Sequence, residues 1–299
     1  MSPDRIHHVS VMVETALDLL DLQLGETWVD ATTGVGGHTM ALAERVGPHG
    51  KVIAVDQDVT MLMVAKQRLA HYPQVHFVQA NFDQLPEILH RQELTEIDGL
   101  FADLGFCSDQ LADPNRGMSF LKDGPLDMRL DKSIGKTAAD IVAEENEQEI
   151  ARILWEYGEE RKSRRIARKI VEVRRQKPIR TTLELAQLVR TCVPKEPGRS
   201  FDPATRTFQA LRIAVNDELG SLERLLACLP QWIKENGRVG MISFHSLEDR
   251  AVKHAFRNRE FWESMTPKPI SATEDEVRSN PRSRSAKLRV ARRKGCLTS

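Results

Sequence analysis

An α/β fold, with a mostly parallel sheet flanked by helices and an inserted all-helical domain, is predicted by three features of this chain. Short apolar runs alternate with helical patterns repeatedly between Trp28 and Ala102, which is how parallel strands joined by crossover helices read in sequence. A glycine loop, Thr33-Gly34-Val35-Gly36-Gly37-His38-Thr39, sits between the first apolar run and the first helix that follows it. After Leu111 the rhythm gives way to helical stripes for about ninety residues and then resumes.

Trp28 to Thr32 reads as the first strand, and Met40, Leu42, Ala43 and Val46 mark the helix after the glycine loop. Lys51 to Asp56 is a second strand that ends on an acid, nineteen residues beyond Gly37. Such an acid commonly accepts hydrogen bonds from ribose hydroxyls. Met61 to Leu69 reads as a helix, Val75 to Gln79 as a strand, Leu85 to Arg91 as a helix, and Ile97 to Ala102 as the fourth strand. Three helical stripes follow: Ile150, Leu154 and Tyr157; then Ile166, Ile170 and Val173; then Leu185, Leu188, Val189 and Cys192. Thr181 and Glu184 have the spacing of a capping box for the third. The prolines between Pro194 and Pro203 close the insertion, and Asp202-Pro203 is an N-cap followed by a first-turn proline, opening one helical stretch that runs through Asn216 towards Leu229. Gly237 to Phe244 reads as a fifth strand, with His245 to Arg250 opening the next helix. The expected division is 1–111 for the first part of the core, 112–202 for a helical substrate-recognition domain, and 203–299 for the second part with a basic C-terminal segment.

Asp103 stands where the fourth strand ends, followed at once by Leu104-Gly105-Phe106-Cys107-Ser108-Asp109-Gln110. In open α/β sheets ligands bind beyond the carboxyl ends of the strands, so an acid there is placed to meet a substrate. The next polar, glycine-punctuated residues, Arg116 to Phe120 and Asp123 to Arg129, suit pocket lining better than core. The loop Gly34-x-Gly36-Gly37 has Thr39 where a dinucleotide fingerprint carries its third glycine, so close approach of a diphosphate is not supported. S-adenosylmethionine is the natural cofactor without a diphosphate.

Bulk properties exclude little. The 299 residues carry 43 basic and 43 acidic side chains, so net charge does not select a nucleic-acid partner. Distribution says more: Asp140 to Glu160 holds eight acids and one base, Arg161 to Arg180 ten bases and one acid, and Arg278 to Lys294 eight bases and no acid. The first basic run suits a solvated helix face; in the second, bases interleaved with small and apolar residues suit an edge strand or arm along a phosphate backbone. Four cysteines, Cys107, Cys192, Cys228 and Cys296, contain no Cys-x-x-Cys pair, so no metal site is expected and a reducing, cytoplasmic setting fits. No targeting signal or membrane anchor is expected.

Long motifs cover nearly the whole chain in order: His8 to Glu14, Asp30 to His38, the Asp103 block, Tyr157 to Arg161, Ala204 to Ile213, Val215 to Leu219, Ser243 to Arg250 and Asn280 to Arg289. Together they resemble the bacterial family that methylates the N4 amine of a cytosine in small-subunit (16S) ribosomal RNA. The resemblance implies a class I S-adenosylmethionine-dependent methyltransferase fold, Rossmann-like with a mostly parallel sheet. It implies cofactor contacts from Gly36, Gly37, His38, Asp56, Phe82, Asp103 and Gln110. Cys107 and Met118 stand where the family usually has serine and phenylalanine.

For the chemistry, Asp103 is the first candidate to accept a proton or hydrogen bond from the cytosine amine, beside the reading that it only binds cofactor. His245 is a second catalytic candidate, set against a structural role. Asn216 and Ser246 are assigned to the base edge, and Arg206, Arg212 and Arg250 to phosphates. For Asn216 and Arg212 the competing reading is helix packing or capping, and for His38 it is a loop-fixing side chain. The implied partner is 16S rRNA within the small subunit, and a homodimer is compatible with the sequence. Two other readings stand beside this one: a non-catalytic RNA-binding or assembly factor with a retained adenosyl pocket, and a nicotinamide-dependent dehydrogenase suggested by the glycine loop alone.

Overall fold

The structure, a computed structural model, describes residues 9–193 and 202–295. His8, the 194–201 stretch and Cys296 lie outside the described residues. The chain divides into two units, one from residues 107–218 and one from residues 8–106 and 219–299.

The first stretch of the second unit runs α1 (Val13–Leu20), β1 (Thr27–Asp30), α2 (Gly37–Val46), β2 (Lys51–Asp56), α3 (Val59–Arg68), β3 (Val75–Gln79), α4 (Leu85–Arg91) and β4 (Ile97–Asp103). The helical unit then supplies α5 (Ser108–Ala112), α6 (Ala138–Glu144), α7 (Glu147–Glu156), α8 (Ser163–Arg174), α9 (Thr182–Cys192) and α10 (Thr205–Asn216). The chain continues through α11 (Glu218–Trp232), β5 (Ile233–Ser243), α12 (Ser246–Phe256), β6 (Trp262–Ser264), β7 (Ile270–Ser271), α13 (Glu274–Ser279) and β8 (Lys287–Arg293).

The sheet order is β3-β2-β1-β4-β5-β8-β6, with β7 also on β8. Strands β1 to β5 pair in parallel, and β8 runs antiparallel to β5, β6 and β7. The order reverses between β1 and β4, so the crevice that such sheets use for ligands opens at their carboxyl ends.

Alternation along the strands fills two cores. Val29, Ile53, Leu100 and Met241 pack with Ile88 and Leu89 of α4 and Leu225 and Leu229 of α11. Their neighbours Trp28, Val52, Phe101 and Ile242 pack with Leu17 and Leu20 of α1 and Leu42 and Val46 of α2. Each such side chain, fully buried, contributes about 1.5–3 kcal/mol of transfer free energy. Gly99 is required by this packing: a Cβ there would lie 2.4 Å from the Trp28 ring.

In the helical unit, Ile150, Leu154, Ile166, Ile170, Leu185 and Val189 form one core with Phe208 and Leu211 of α10. That is why the boundaries fall at 106/107 and 218/219 rather than at the expected 111/112 and 202/203. The single stretch expected from Asp202 towards Leu229 breaks at Asp217, whose φ of 47° ends α10 before α11 begins. Thr181 and Glu184 do form the expected capping box.

Two further expectations are corrected. Strand β5 starts at Ile233, and its register against β4 shifts between Ile97 and Gly99 where Asn236 takes a φ of 64°. The C-terminal basic run is neither edge strand nor arm: β8 lies inside the sheet, with Leu288 and Val290 fully buried. Among the described residues no helix is long and apolar enough to cross a membrane.

Candidate active site

Four adjacent strand ends of the sheet unit carry the candidate site. Asp30 closes β1, Asp56 closes β2, Phe82 follows β3 in a short 3₁₀ turn, and Asp103 closes β4. The glycine loop leaves β1 here because Gly36 takes a φ of 87°, the left-handed conformation that starts α2. A side chain at Gly36 would also meet Leu69 of α3 at 2.9 Å, and one at Gly37 would meet Ser10 Oγ at 1.9 Å.

The loop is laced to the strand ends by hydrogen bonds. Thr39 Oγ1 donates to Asp30 Oδ2 at 2.6 Å, and the Thr32 backbone N–H donates to Asp30 Oδ1. The Gly34 N–H donates to Asp56 Oδ2 at 2.7 Å, and the Asp58 N–H donates to Asp56 Oδ1 at 2.8 Å. The Asp103 N–H donates to Thr32 Oγ1 at 2.6 Å. A single network therefore fixes the ends of β1, β2 and β4.

His38 is buried, stacked on Phe101 with ring centroids 4.6 Å apart, and its Nε2 is 2.9 Å from the Val11 carbonyl. A carbonyl only accepts, so Nε2 carries the hydrogen and Nδ1 presents a lone pair. Burial pushes the ring pKa down to about 4, so the imidazole is neutral. Its Nδ1 is 3.7 Å from Asp103 Oδ2, a contact too long for a hydrogen bond. Asp103 Oδ1 is buried with no hydrogen-bond partner, as is Thr33 Oγ1.

The three acids share an electrostatic strain. Burial raises Asp30 to about 6 against its two hydrogen bonds. Burial raises Asp56 to about 7, with the charges of Asp58 and Asp30 adding to it. Asp103 is pushed up to about 8, first by burial and then by the Asp30 charge, while Arg282 pulls it down and Glu248 raises it. Arg282 itself donates to the Phe106 carbonyl and lies over the Phe106 ring.

These groups fit a cofactor rich in hydroxyls and amines and bearing positive charge. Asp103 and Thr33 hold buried oxygens that lack partners, the strand ends gather acids, and open space adjoins Gly34, where an added Cβ meets nothing within 4 Å. A diphosphate would find acids where it needs cations. S-adenosylmethionine suits this donor set: Asp56 would accept from ribose hydroxyls, and the acid charge at the strand ends would favour its positive sulfur.

The other sequence-derived candidates are placed differently. Gln110 belongs to the helical unit, where its Oε1 accepts from the Cys107 N–H at 2.8 Å. Asn216 is a strut: its Nδ2 donates to the carbonyls of Met128 and Arg212, and its Oδ1 accepts from the Leu130 N–H. Three of its four hydrogen-bonding positions are thus spent on backbone, which fits the packing or capping role set against base recognition. Arg212 forms a two-pronged pair with Glu218, 2.8 Å at both contacts, so its charge is neutralised before any phosphate arrives. Arg206 is half-buried and donates to the Glu159 carbonyl.

His245 caps α12. Its Nδ1 accepts from the Glu248 N–H, and Glu248 Oε2 accepts in return from the backbone N–H of Phe244 and of His245. His245 Nε2 lies 3.2 Å from Glu248 Oε1. Ser246 and Arg250 are exposed on the same helix. The expected pocket lining between Arg116 and Arg129 largely packs the helical unit: Arg116, Met118, Leu126 and Met128 are buried, and Arg116 donates to the Leu130 carbonyl.

Sequence reasoning gave no role to Asp30 and read Arg282 only as one of the C-terminal bases suited to a phosphate backbone, not as a neighbour of Asp103. Asp30 ends a strand before a glycine loop as Asp56 and Asp103 end theirs, but the strand pattern reads on past it to Thr32. The place of Arg282 was not findable, because only the fold brings residue 282 to residue 103.

The strand order and acid-lined strand ends define an α/β protein that holds a nucleoside-type cofactor at its topological switch point. A model of the MraW methylase family matches residues 5–294, and the chain belongs to that family. It is 48% identical over 290 residues to a protein of Sorangium cellulosum named ribosomal RNA small subunit methyltransferase H, covering 96% of this chain and 91% of that protein. A protein of the same name from Synechocystis is 47% identical over 292 residues, covering 95% of this chain and 93% of its own length. Another, from Acaryochloris marina, is 48% identical over 298 residues, covering 98% and 97%.

Proposed function

We propose that this methylase transfers the methyl group of S-adenosylmethionine to the N4 amine of a cytosine in small-subunit (16S) ribosomal RNA, in the cytoplasm. Family membership over nearly the whole chain supports the reaction class, and the names of its relatives support the substrate. The observation that carries the site assignment is Asp103: an acid at the switch point, with a buried oxygen that has no partner.

When bound, S-adenosylmethionine supplies an electrophilic methyl group on a positively charged sulfur. A cytosine amine is a poor nucleophile because its lone pair is delocalised into the ring. Asp103 Oδ1 accepts from an amine N–H and so favours the pyramidal nitrogen that attack requires. As the amine nitrogen takes up that methyl group, the proton it loses would pass to the carboxylate of Asp103. Asp103 must be a carboxylate to accept, and although burial raises its pKa to about 8 in the cofactor-free protein, the positive charge of bound S-adenosylmethionine would favour the ionised form. The neutral ring of His38 packs beside Asp103 without a hydrogen bond to it, and Asp56 takes ribose hydroxyls on the lone pairs that its two backbone donors leave open. The target base must leave its stack to reach the site, so a single-stranded or splayed nucleotide is the substrate.

The helical unit is the candidate for RNA recognition. Arg164, Arg165 and Arg175 of its basic run are exposed, with no carboxylate partner among the described residues.

The test is methyl transfer from labelled S-adenosylmethionine to small subunits lacking the modification, with free ribosomal RNA and DNA alongside, followed by nucleoside mass analysis. N4-methylcytidine in RNA is expected. Cofactor binding without transfer would favour a non-catalytic assembly factor, and NAD binding would favour a dehydrogenase.

A further inference from the structure

We infer that the cavity at the C-terminal end of α12 is a docking site for the RNA backbone, separate from the methyl-transfer site; this rests on the RNA substrate proposed above. The cavity measures about 510 Å³ and is lined by Lys253, Phe256, Arg257, Arg259, Trp262, Glu263, Ser264, Pro267, Arg289 and Lys294.

Its charge is only partly spent inside the protein. Arg289 is tied to Asp249 at 2.7 Å, Glu263 to Arg292 at 2.6 Å, and Lys294 Nζ donates to the Arg259 carbonyl. That leaves Lys253, Arg257 and Arg259, whose side chains have no hydrogen bond or ion pair among the described residues. Two of the three are exposed and Lys253 is half-buried. Buried Phe256 and Trp262 stiffen the floor beneath them.

Complementing a helix C-terminus accounts for Lys253 and Arg257. It does not account for Arg259, which follows the helix, nor for the convergence of all three on one concave surface. Cations spaced along the end of α12 and the turn after it, lining one cleft of this size, suit successive phosphates of a polynucleotide. The C-terminal run that looked like the RNA arm is mostly paired inside the fold. The free charge stands on the segment beside it, which the sequence did not single out.

The test compares wild type with the variant Lys253→Gln, Arg257→Gln, Arg259→Gln, measuring methyl transfer to unmodified small-subunit RNA over a salt series. A control variant, Lys51→Gln, Lys66→Gln, Arg91→Gln, removes the same charge elsewhere on the sheet unit. The KM for RNA is expected to rise roughly tenfold at about 50 mM salt, and the log–log salt dependence to become shallower by about 2 to 3. The kcat and cofactor affinity stay at wild-type values, and the control variant keeps the wild-type KM. A KM and salt dependence equal to wild type, or an equal loss in the control, would overturn the docking site alone. A wild-type protein that methylates no RNA would overturn both this site and the substrate reading.

Discussion

In the sheet unit Asp103 keeps a buried oxygen without a partner, whereas in the helical unit Asn216 spends both amide hydrogens and its oxygen on three backbone groups. Both residues are polar, and both stood out in the sequence as candidates for substrate contact. Burial of an unpaired polar group costs about 1–3 kcal/mol, and a structure that tolerates this at strand ends has a use for the free valence. The satisfied residue has already returned its stabilisation to the fold. Unmet hydrogen-bonding capacity sets these two residues apart, and place at the strand ends completes the distinction, since Thr207 Oγ1, Trp232 Nε1 and Arg238 Nε are also buried without partners.

The sharpest way to break this contrast is Asp103→Asn. The amide keeps the shape but cannot take a proton, so kcat with saturating cofactor should fall by about 10²-fold or more, while the unfolding midpoint holds or rises because a strained acid is gone. Unchanged turnover of the saturated enzyme would remove Asp103 from the proton-accepting role.

A pH series tests the electrostatic half of the comparison. Asp30, Asp56 and Asp103 are raised from the ordinary 3.8 to about 6, 7 and 8. The folded protein thus holds protons that the unfolded chain releases, and this stabilisation is lost as pH rises through those values. His38, lowered from 6.5 to about 4, works oppositely: its contribution is present above 6.5 and lost as pH falls towards 4. Between pH 6.5 and about 8 Asp56 and Asp103 act alone, so urea midpoints of the cofactor-free protein should fall across that window and level off above it, and Asp103→Asn should flatten the part between about 7 and 8. A flat profile for wild type would show that the acids are not strained.

The opposite expectation holds for Asn216→Ala. It should destabilise the helical unit by about 1–3 kcal/mol in chemical denaturation and leave the affinity for S-adenosylmethionine unchanged. A loss of RNA affinity with full stability would instead return Asn216 to substrate recognition.

The smallest effect should come from Cys107→Ser. Cys107 is buried beside the Gln110 cap, and one small side chain replaces another, so stability should change by less than about 1 kcal/mol. Activity should become insensitive to mild oxidants if Cys107 is their target, which a methyl-transfer assay after peroxide treatment would show.

Local patterns fixed more of this protein than its contacts did. A continuous apolar run placed β2 as Lys51–Asp56, because burial on both faces of a central parallel strand leaves that signature; β3, Val75–Gln79, is an edge strand that is only partly buried and was placed by its short β-branched and aromatic run. Asp56 and Asp103 were legible as strand-end acids, since each directly follows an apolar run; Asp30 was not, because the first run reads on to Thr32, two residues past the end of β1. The break at Asp217 was not legible: the apolar stripe continues across it, and only a left-handed turn at one residue separates α10 from α11. The fate of the basic C-terminal run was equally hidden, because a charge pattern does not reveal which carboxylates lie opposite. Asp249 and Glu263 neutralise Arg289 and Arg292 from distant parts of the chain.

The sequence by itself determined the α/β class, the glycine loop and the acids Asp56 and Asp103, since these follow from periodicity and from neighbours within a few residues. Tertiary structure alone decided which polar groups remain unsatisfied, how far burial and mutual repulsion raise Asp103, and where free cations converge. Those properties depend on solvent exclusion and on charges brought together across long stretches of chain, and neither is written in any local segment.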